Sequence, residues 1–225
     1  MRGVANKWFR SYLSSRTQRV KLDGVSSEYL NVSCGVPQGS ILGPLLFLIY
    51  INDMHRSVKY SLVHHFADDT NLLCSDKSPY LLKKKLNTDL KLIFQWLCAN
   101  RLSLNVTKTE FIIFKPPRSQ FPNRFTLTLN KTTIFESNKI KYLGVIMDDR
   151  LTWKHHIYEL RKKINRSIGI IYKMKFASPR SVLLSLYYSL VHSHLNYGIC
   201  VWGNAAAYEI SKLHLAQKSN YNYIK

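Results

Sequence analysis

The chain has 225 residues, 46% of them hydrophobic, with 33 lysines and arginines against 13 acidic residues. This apolar content is too high for a disordered chain, and the length allows one large domain or two small ones with a buried core. The net charge of +20 favours a polyanionic partner, because clustered cations release the counterions of a phosphate backbone. An anionic membrane surface is the competing interpretation.

Neither a membrane span nor a secretory signal is predicted. The longest apolar stretch covers residues 41–51 and is interrupted by Gly43 and Pro44. A spanning helix needs about 20 apolar residues. The N-terminus, Met1-Arg2-Gly3, has no apolar signal core. We therefore expect an intracellular protein without a membrane partner.

The four cysteines are widely spaced and form no CxxC pair. This spacing argues against a zinc ribbon and against a disulfide framework. We interpret them as reduced thiols that are mostly buried. A metal site built from His192, His194 and Cys200 is conceivable, but the spacing is not a known zinc pattern.

The N-terminal third predicts short helices and strands. In chain order, these are a short aromatic helix (8–13), an alternating strand that ends at the Asp23-Gly24 turn (16–22), a loop rich in glycine and proline (32–40), a helix that is apolar on all sides and therefore buried (41–54), and a hairpin (61–66 and 71–74) around Asp68 and Asp69.

A long helix with a clear start follows. Ser78 is a good N-cap and Pro79 suits the first helical position. Residues 83–85, all lysines, begin on its solvent side. Two strands come next, at residues 111–114, ended by Pro116-Pro117, and at residues 142–147. The apolar stripe of the helix, at helical spacing, consists of Leu82, Leu86, Leu90, Ile93 and Leu97.

The C-terminal third is helical and basic. Helices are predicted at residues 153–172, from Ser178-Pro179 to about residue 196, and at residues 208–224. From Arg150 onward, twelve lysines and arginines face two acids, which is half of the net charge on about a third of the chain. This change predicts a boundary near residue 150, between regions 1–150 and 151–225.

The adjacent carboxylates of Asp68 and Asp69 are the strongest local signal. At a hairpin tip they repel each other, and a hard divalent cation such as Mg²⁺ offsets that repulsion. Two such ions about 4 Å apart support nucleotidyl transfer. An ordinary turn is the alternative, and it is the commoner outcome for an isolated Asp-Asp pair. Asp148-Asp149, ahead of a predicted helix, is interpreted as a structural cap.

Several motifs occur in order along the chain. Residues 35–47, which begin Gly35-Val36-Pro37-Gln38-Gly39, and Phe66-Ala67-Asp68-Asp69-Thr70 resemble motifs B and C of non-LTR (LINE-type, jockey-like) retrotransposon reverse transcriptases. Residues 102–105 with Lys108-Thr109 resemble motif D. Residues 141–145, continuing through 151–153, resemble the primer grip (motif E) and the beginning of the thumb, and Tyr197-Gly198 and Val201-Trp202-Gly203 resemble later thumb positions.

The resemblance implies an α+β polymerase palm, with an antiparallel sheet and packed helices, over residues 1–150. A mainly helical, basic thumb follows over residues 151–225. The implied activity is RNA-directed DNA synthesis with Mg²⁺ or Mn²⁺, on an RNA template with a DNA primer and deoxynucleoside triphosphates. The implied location is the nucleus.

The resemblance also implies residue roles. Asp68 ligates metal and Asp69 supports it, while Lys108 approaches the triphosphate, with an ordinary surface lysine as its alternative. Nucleotide and template lie beside Pro37, Gln38 and Gly39. The composition of the basic helix, apart from the resemblance, predicts cations that bind the phosphates of an RNA–DNA hybrid, with an ordinary solvated charged face as the alternative. These cations are Arg161, Lys162, Lys163, Arg166 and Lys173. The aromatic residues among them, Trp153, Tyr158 and Tyr172, are expected in the core.

The chain departs from the family pattern upstream of the hairpin. The family takes a further aspartate from motif A, which lies before the segment that Arg2-Gly3 and Trp8-Phe9 resemble. The acids ahead of the hairpin are Asp23, Glu28 and Asp53, none in a motif-A context. The fingers region is also missing. We therefore expect a fragment that is inactive alone. The alternatives are an inactive nucleic-acid-binding remnant and a decayed reading frame.

Overall fold

The computed structural model describes residues 2–116, 121 and 125–224, without the side chains of 219–224. It divides into two compact units, Met1–Ser75 and Asp76–Lys225. Both contain helices and short antiparallel strand pairs, so the predicted α+β class is confirmed. The palm and thumb division near residue 150 stays a prediction.

The first unit carries three antiparallel strand pairs: β1 (Arg16–Gln18) with β4 (Leu30–Val32), β2 (Lys21–Leu22) with β3 (Val25–Ser26), and β5 (Leu62–Phe66) with β6 (Asp69–Leu73). The single strand predicted over residues 16–22 is wrong, because the chain forms two short strands there. Asp23 (φ +48°) and Gly24 (φ +84°) make a tight turn that folds β2 back on β3. The elements are α1 Gly3–Leu13, β1 Arg16–Gln18, β2 Lys21–Leu22, β3 Val25–Ser26, β4 Leu30–Val32, α2 Leu42–Ile51, a 3₁₀ turn Met54–Ser57, β5 Leu62–Phe66 and β6 Asp69–Leu73.

Helix α2 forms where an apolar helix was predicted, but the prediction that it is buried on all sides is wrong. Gly43 and Ile51 are its buried residues, while Ile41 just ahead of it is 95% exposed and Ile49 is 60% exposed. A helix is buried only where another element covers it, and strand β5 packs on the 3₁₀ turn Met54–Ser57 that follows α2. The first unit therefore presents a large apolar surface.

The second unit contains two hairpins and six helices among its described residues. Antiparallel pairing joins β7 (Thr126–Leu129) to β8 (Thr132–Phe135) and β9 (Lys139–Tyr142) to β10 (Val145–Asp148). The elements are α3 Pro79–Ala99, a 3₁₀ turn Val106–Lys108, β7 Thr126–Leu129, β8 Thr132–Phe135, β9 Lys139–Tyr142, β10 Val145–Asp148, α4 Lys154–Met174, α5 Arg180–Tyr187, a π-helical segment Tyr188–His192, α6 Ser193–Asn196, α7 Ile199–Trp202 and α8 Ala207–Ile224.

Helix α3 begins as predicted, with the Ser78 hydroxyl accepting a hydrogen bond from the Leu81 N–H at 3.5 Å. Its apolar stripe is buried or half-buried against β7. The solvent position predicted for residues 83–85 is wrong for two of the three lysines. Lys83 donates to Thr126 Oγ1 at 3.2 Å, and Lys85 lies 2.7 Å from the Asp76 carboxylate.

Two predicted strands differ from the structure. At residues 111–114, Phe111 makes an isolated bridge to Glu136 and no strand forms; Pro117 lies outside the described residues. Residues 145–147 of the strand predicted at 142–147 do lie in β10, but the predicted strand is not continuous, because it crosses the turn of the β9–β10 hairpin. Leu143 (φ +45°) and Gly144 (φ +82°) adopt left-handed conformations that reverse the chain there.

The three predicted C-terminal helical regions are confirmed, and the second of them includes the π-helical segment. Helix α4 is central, packing against β10, α5 and α8. Its residues Ile164 and Ile171 are 0% exposed, as is Val191 beside them. This core also includes Val145 and Trp153, so residues on both sides of position 150 share it.

The cysteine and membrane predictions have separate outcomes. All four thiols are free, as predicted. The prediction that they are mostly buried is wrong, because Cys34, Cys98 and Cys200 are exposed and Cys74 is half-buried. Among the described residues, every helix is too short or too polar to cross a membrane.

Candidate catalytic hairpin and nucleic-acid interface

The hairpin around Asp68 and Asp69 forms as predicted. Strands β5 and β6 pair in register up to Phe66 opposite Asp69, which leaves Ala67 and Asp68 as the two-residue turn. Ala67 has φ +52°, a region that residues with a Cβ enter at a cost of about 1 kcal/mol or more. Asp68 is thereby held at the tip, with Asp69 at the end of β6.

Both carboxylates face solvent, whereas the opposite hairpin face is partly covered. Asp68 and Asp69 are exposed and His65 is half-buried. The Nδ1 atom of His65 lies 3.1 Å from Thr70 Oγ1, and its buried Nε2 finds no hydrogen-bond partner among the described residues. Burial, together with the charges of His55 and His64, lowers the pKa of His65. The neutral His65 ring therefore links the two strands of the hairpin through its contact with Thr70.

The carboxylate pair fits part of a magnesium coordination sphere. Mg²⁺ commonly takes one or two protein carboxylates and completes its shell with water and substrate phosphates. Within the described residues, no group of three or more His, Cys, Asp or Glu side chains is placed to hold a metal. That finding also excludes a cluster of His192, His194 and Cys200. Asp68 and Asp69 can contribute ligands, but a two-ion centre needs another carboxylate.

The glycine-rich loop is exposed at Pro37, Gln38 and Gly39. Gly39 has φ +78°, and a Cβ there would meet nothing within 4 Å, so backbone conformation rather than space requires glycine. Arg16, which the sequence reasoning missed, anchors the loop by donating to the carbonyl of Gly35 at 2.6 Å. Its spacing from the loop gives no local signal for that contact.

The predicted phosphate-binding cations lie on different sides of α4. Lys163, Arg166 and Lys173 are exposed. Lys162 is exposed too, but it pairs with Glu159 at 3.2 Å, and this hydrogen bond raises the pKa of Lys162. Arg161 is half-buried and lines a cavity shared with α8.

The remaining predicted residues are exposed or buried as follows. Lys108 is exposed at the end of its 3₁₀ turn in the second unit. Trp153 is buried, as expected for a core residue. Tyr158 and Tyr172 are 50% and 48% exposed, so the prediction that they belong to the core is wrong. Their positions on the polar side of α4 explain the difference.

Comparison with known proteins decides the family. A family model described as reverse transcriptase (RNA-dependent DNA polymerase) matches residues 1–147. The chain belongs to the reverse transcriptase family. This assignment confirms the resemblance carried by the loop at Gly35 and by Asp68-Asp69. No solved structure matches the chain.

The curated relatives of this reverse transcriptase segment come from mobile elements. It is 30% identical to the RNA-directed DNA polymerase from mobile element jockey of Drosophila melanogaster, over 92% of this chain and 24% of that protein. It is 27% identical to the probable RNA-directed DNA polymerase from transposon X-element of the same species, over 92% of the chain and 23% of the relative. The segment therefore spans about a quarter of these relatives' length, and its similarity to them extends beyond the family match into the basic helices.

Asp148 has a structural role in the reverse transcriptase segment. Its carboxylate accepts hydrogen bonds from the backbone N–H of Arg150 (3.2 Å), Thr152 (3.0 Å) and Trp153 (2.9 Å), and from the Thr152 hydroxyl (3.1 Å). Burial opposes the charge, but these hydrogen bonds outweigh it and lower the pKa of Asp148. Trp153, not Asp148, is the N-cap residue of α4, so Asp148 fixes the turn ahead of the helix.

His156 is the buried titratable group of α4. Its Nδ1 accepts the Ile146 N–H at 3.3 Å, which places the proton of the neutral ring on Nε2. That buried Nε2 has no hydrogen-bond partner among the described residues. Burial first, and then the charge of Lys163, lowers the pKa of His156 from 6.5.

Acidification is expected to destabilise the second unit through His156. Below pH 6.5 the unfolded chain binds a proton at this histidine, whereas the folded protein keeps the ring neutral to a lower pH. The free energy of unfolding is therefore at its full value above pH 6.5 and decreases as the pH falls below it. Thermal unfolding at about pH 7.5 and about pH 5.5 measures the effect. His156→Gln, which retains an acceptor, should reduce the difference, whereas His155→Gln at the exposed neighbour should preserve it. An unchanged difference in His156→Gln would contradict this role.

Proposed function

We propose that this chain is a catalytic segment of a non-LTR retrotransposon RNA-directed DNA polymerase. The observation that carries the proposal is the exposed hairpin tip of a reverse transcriptase family member, where Asp68 and Asp69 stand side by side. Such a pair is suited to divalent cations during nucleotidyl transfer. The complete activity belongs to a longer protein that provides a further carboxylate.

The residues divide the chemistry between them. Asp68 supplies the principal metal ligand and Asp69 supports it. Mg²⁺ or Mn²⁺ held there would supply activation of the primer 3′-hydroxyl and stabilisation of the leaving pyrophosphate. The exposed loop of Pro37, Gln38 and Gly39 lies beside the incoming nucleotide and the template. Lys108 neutralises charge on the triphosphate.

The basic C-terminal region acts in this proposal as the thumb. Its cations contact phosphates of the RNA–DNA hybrid without reading base edges. The protein acts in the nucleus. A second candidate function, nucleic-acid binding without catalysis, is favoured by the same basic surface together with the absence of a third carboxylate near the pair among the described residues.

A chimera tests the polymerase function. The jockey polymerase of Drosophila melanogaster, with its matching segment replaced by this chain, is incubated with a primed RNA template, deoxynucleoside triphosphates and Mg²⁺. We expect extension complementary to the template, and none with a chelator. A folded chimera that binds the hybrid but adds no nucleotides, or adds them without a template, would contradict the proposal and favour the binding function.

Salt dependence should identify the binding mode. The chain is expected to bind RNA–DNA hybrid with little sequence preference and with affinity that falls steeply as salt rises. Replacing Arg161, Lys162 and Lys163 by alanine should weaken binding equally across sequences and flatten the salt slope by about 1 per lost phosphate contact. Fluorescence anisotropy over a salt series measures both.

The matched control removes charge of the opposite sign. Asp68→Asn with Asp69→Asn should leave metal-free binding unchanged or slightly stronger, because these carboxylates repel phosphate. Binding that is insensitive to salt, or that only the aspartate changes abolish, would contradict a phosphate-gripping role for α4.

A further inference from the structure

A cavity of about 250 Å³ lies between α4 and α8, and cations line it. Lys154, Tyr158 and Arg161 are at helical positions i, i+4 and i+7, so they share one face of α4. Lys212 reaches the cavity from α8. The α4 face is held rigidly, because Ile157, Leu160 and Ile164 are buried beneath it.

Among the described residues that line this cavity, the positive charges outnumber the negative ones. Glu209 is the acid in its lining, and it is already neutralised by Lys212 at 2.9 Å. Lys154 and Arg161 therefore contribute an excess of positive charge to a concave surface. Concave cationic surfaces attract and retain phosphate.

A second cavity of about 290 Å³ adjoins the first and shares His155 and Tyr158 with it. Lys139 and Lys141 of β9 line this second cavity, and Glu159, its acid, pairs with Lys162. Five lysines and arginines and two acids therefore line the two cavities. The two cavities meet at His155 and Tyr158, along the first half of α4, and together they are called the groove.

Tyr158 lies at the junction of the two cavities. Tyr158 is 50% exposed, and Lys162 Nζ lies 4.3 Å from its ring centroid. Aromatic rings between cationic sites provide stacking surfaces for bases of a single strand, and this stacking is tolerant of sequence. Each cavity, at about 250 and 290 Å³, has room for a phosphate group.

We propose that one nucleic-acid strand crosses α4 in this groove, an inference that rests on the proposed function. One backbone phosphate lies between Lys154 and Arg161 beside α8, and a base stacks on Tyr158. The next phosphate lies toward Lys139 and Lys141. The strand is thus bound at the first half of α4, on the face that carries Lys154, Tyr158 and Arg161.

The test compares two charge-matched double variants of the full chain. Lys154→Ala with Arg161→Ala removes two cations from the groove, and Lys7→Ala with Arg10→Ala removes two exposed cations from α1 in the first unit. Lys212 is left in place because it neutralises Glu209. Anisotropy of a labelled single-stranded oligothymidine is measured over a salt series, with circular dichroism to verify the fold of each variant.

The groove variant should weaken binding by at least about tenfold and flatten the salt slope by about 1.4, since each single-strand phosphate contact contributes about 0.7. The control variant should change affinity by less than about threefold. Tyr158→Leu should weaken binding by about tenfold, whereas Tyr158→Phe and the exposed-ring control Tyr172→Leu should not. Equal losses in the two charge variants, or no loss in Tyr158→Leu, would overturn the proposal.

Two competitors separate other phosphate sources. Unlabelled oligothymidine should displace the labelled strand, while thymidine triphosphate or anionic phospholipid vesicles at equal phosphate concentration should not. Equal displacement by either would overturn the strand assignment. Strand binding persists if the chimera lacks polymerase activity, so failure of the groove and failure of the proposed function are distinguishable.

Discussion

Replacing Asp68 by asparagine in the jockey chimera is expected to reduce RNA-templated DNA synthesis by about 10³-fold or more. The change removes a charged metal ligand at the hairpin tip, and metal-ion stabilisation of the transition state contributes several kcal/mol, with each 1.4 kcal/mol changing the rate about tenfold. Asp69→Asn should cause a smaller loss, because Asp69 only supports the ligand. Single-turnover primer extension measures the rates.

Asp53→Asn is the matched control for both aspartates. Asp53 is exposed in the same unit, between α2 and the 3₁₀ turn, and loses the same charge on substitution. Its variant should extend primers at nearly the original rate. If Asp68→Asn retained a comparable rate, the pair would be an ordinary turn and another site would carry the chemistry.

Replacing Asp148 by alanine is expected to destabilise the second unit by about 3 kcal/mol. The change leaves three backbone N–H groups and the Thr152 hydroxyl without their acceptor, and Trp153 beside them is buried. Loss of hydrogen bonds to a charged, buried acceptor costs about 1–3 kcal/mol for each unsatisfied group, and the turn relaxes in part. Urea unfolding monitored by tryptophan fluorescence measures the loss.

Asp149→Ala provides the control, since the neighbouring half-buried carboxylate carries the same charge. It should cost less than about 1 kcal/mol. The lowered pKa of Asp148 means that its stabilisation is present above the ordinary value of 3.8 and is lost as pH falls through the folded value. Equal losses in the two variants would contradict a special role for Asp148.

Local signals predicted much of the fold and the tip of the site. Ser78 and Pro79 mark the start of α3 because capping depends on adjacent residues. The two apolar runs around Asp68 and Asp69 were sufficient to predict their hairpin, since pairing across a two-residue turn is local. The basic helix α4 was readable from its periodicity.

Features that depend on distant residues were not predictable. Residues 142–147 have the sequence pattern of one strand, yet Leu143 and Gly144 turn the chain there. The hydroxyl of Tyr197, which is distant in the sequence, donates a hydrogen bond to the Leu143 carbonyl at 2.6 Å. The burial of α2 was inferred from composition, but burial depends on which layer covers a helix. The i, i+4 spacing of Lys154 and Tyr158 indicates that they share one face of a helix. The position of Lys212 beside them depends on how α8 packs on α4, which local sequence does not indicate.

Primer extension by the purified chain alone tests the central claim most directly, namely that it holds only part of a two-ion centre. With Mg²⁺ or Mn²⁺, a primed RNA template and deoxynucleoside triphosphates, we expect no templated product, because Asp68 and Asp69 cannot position both ions without a further carboxylate. The jockey chimera, assayed in parallel, should extend the same primer. Robust extension by the chain alone that disappears in Asp68→Ala would contradict the account and would mean that another acid completes the site.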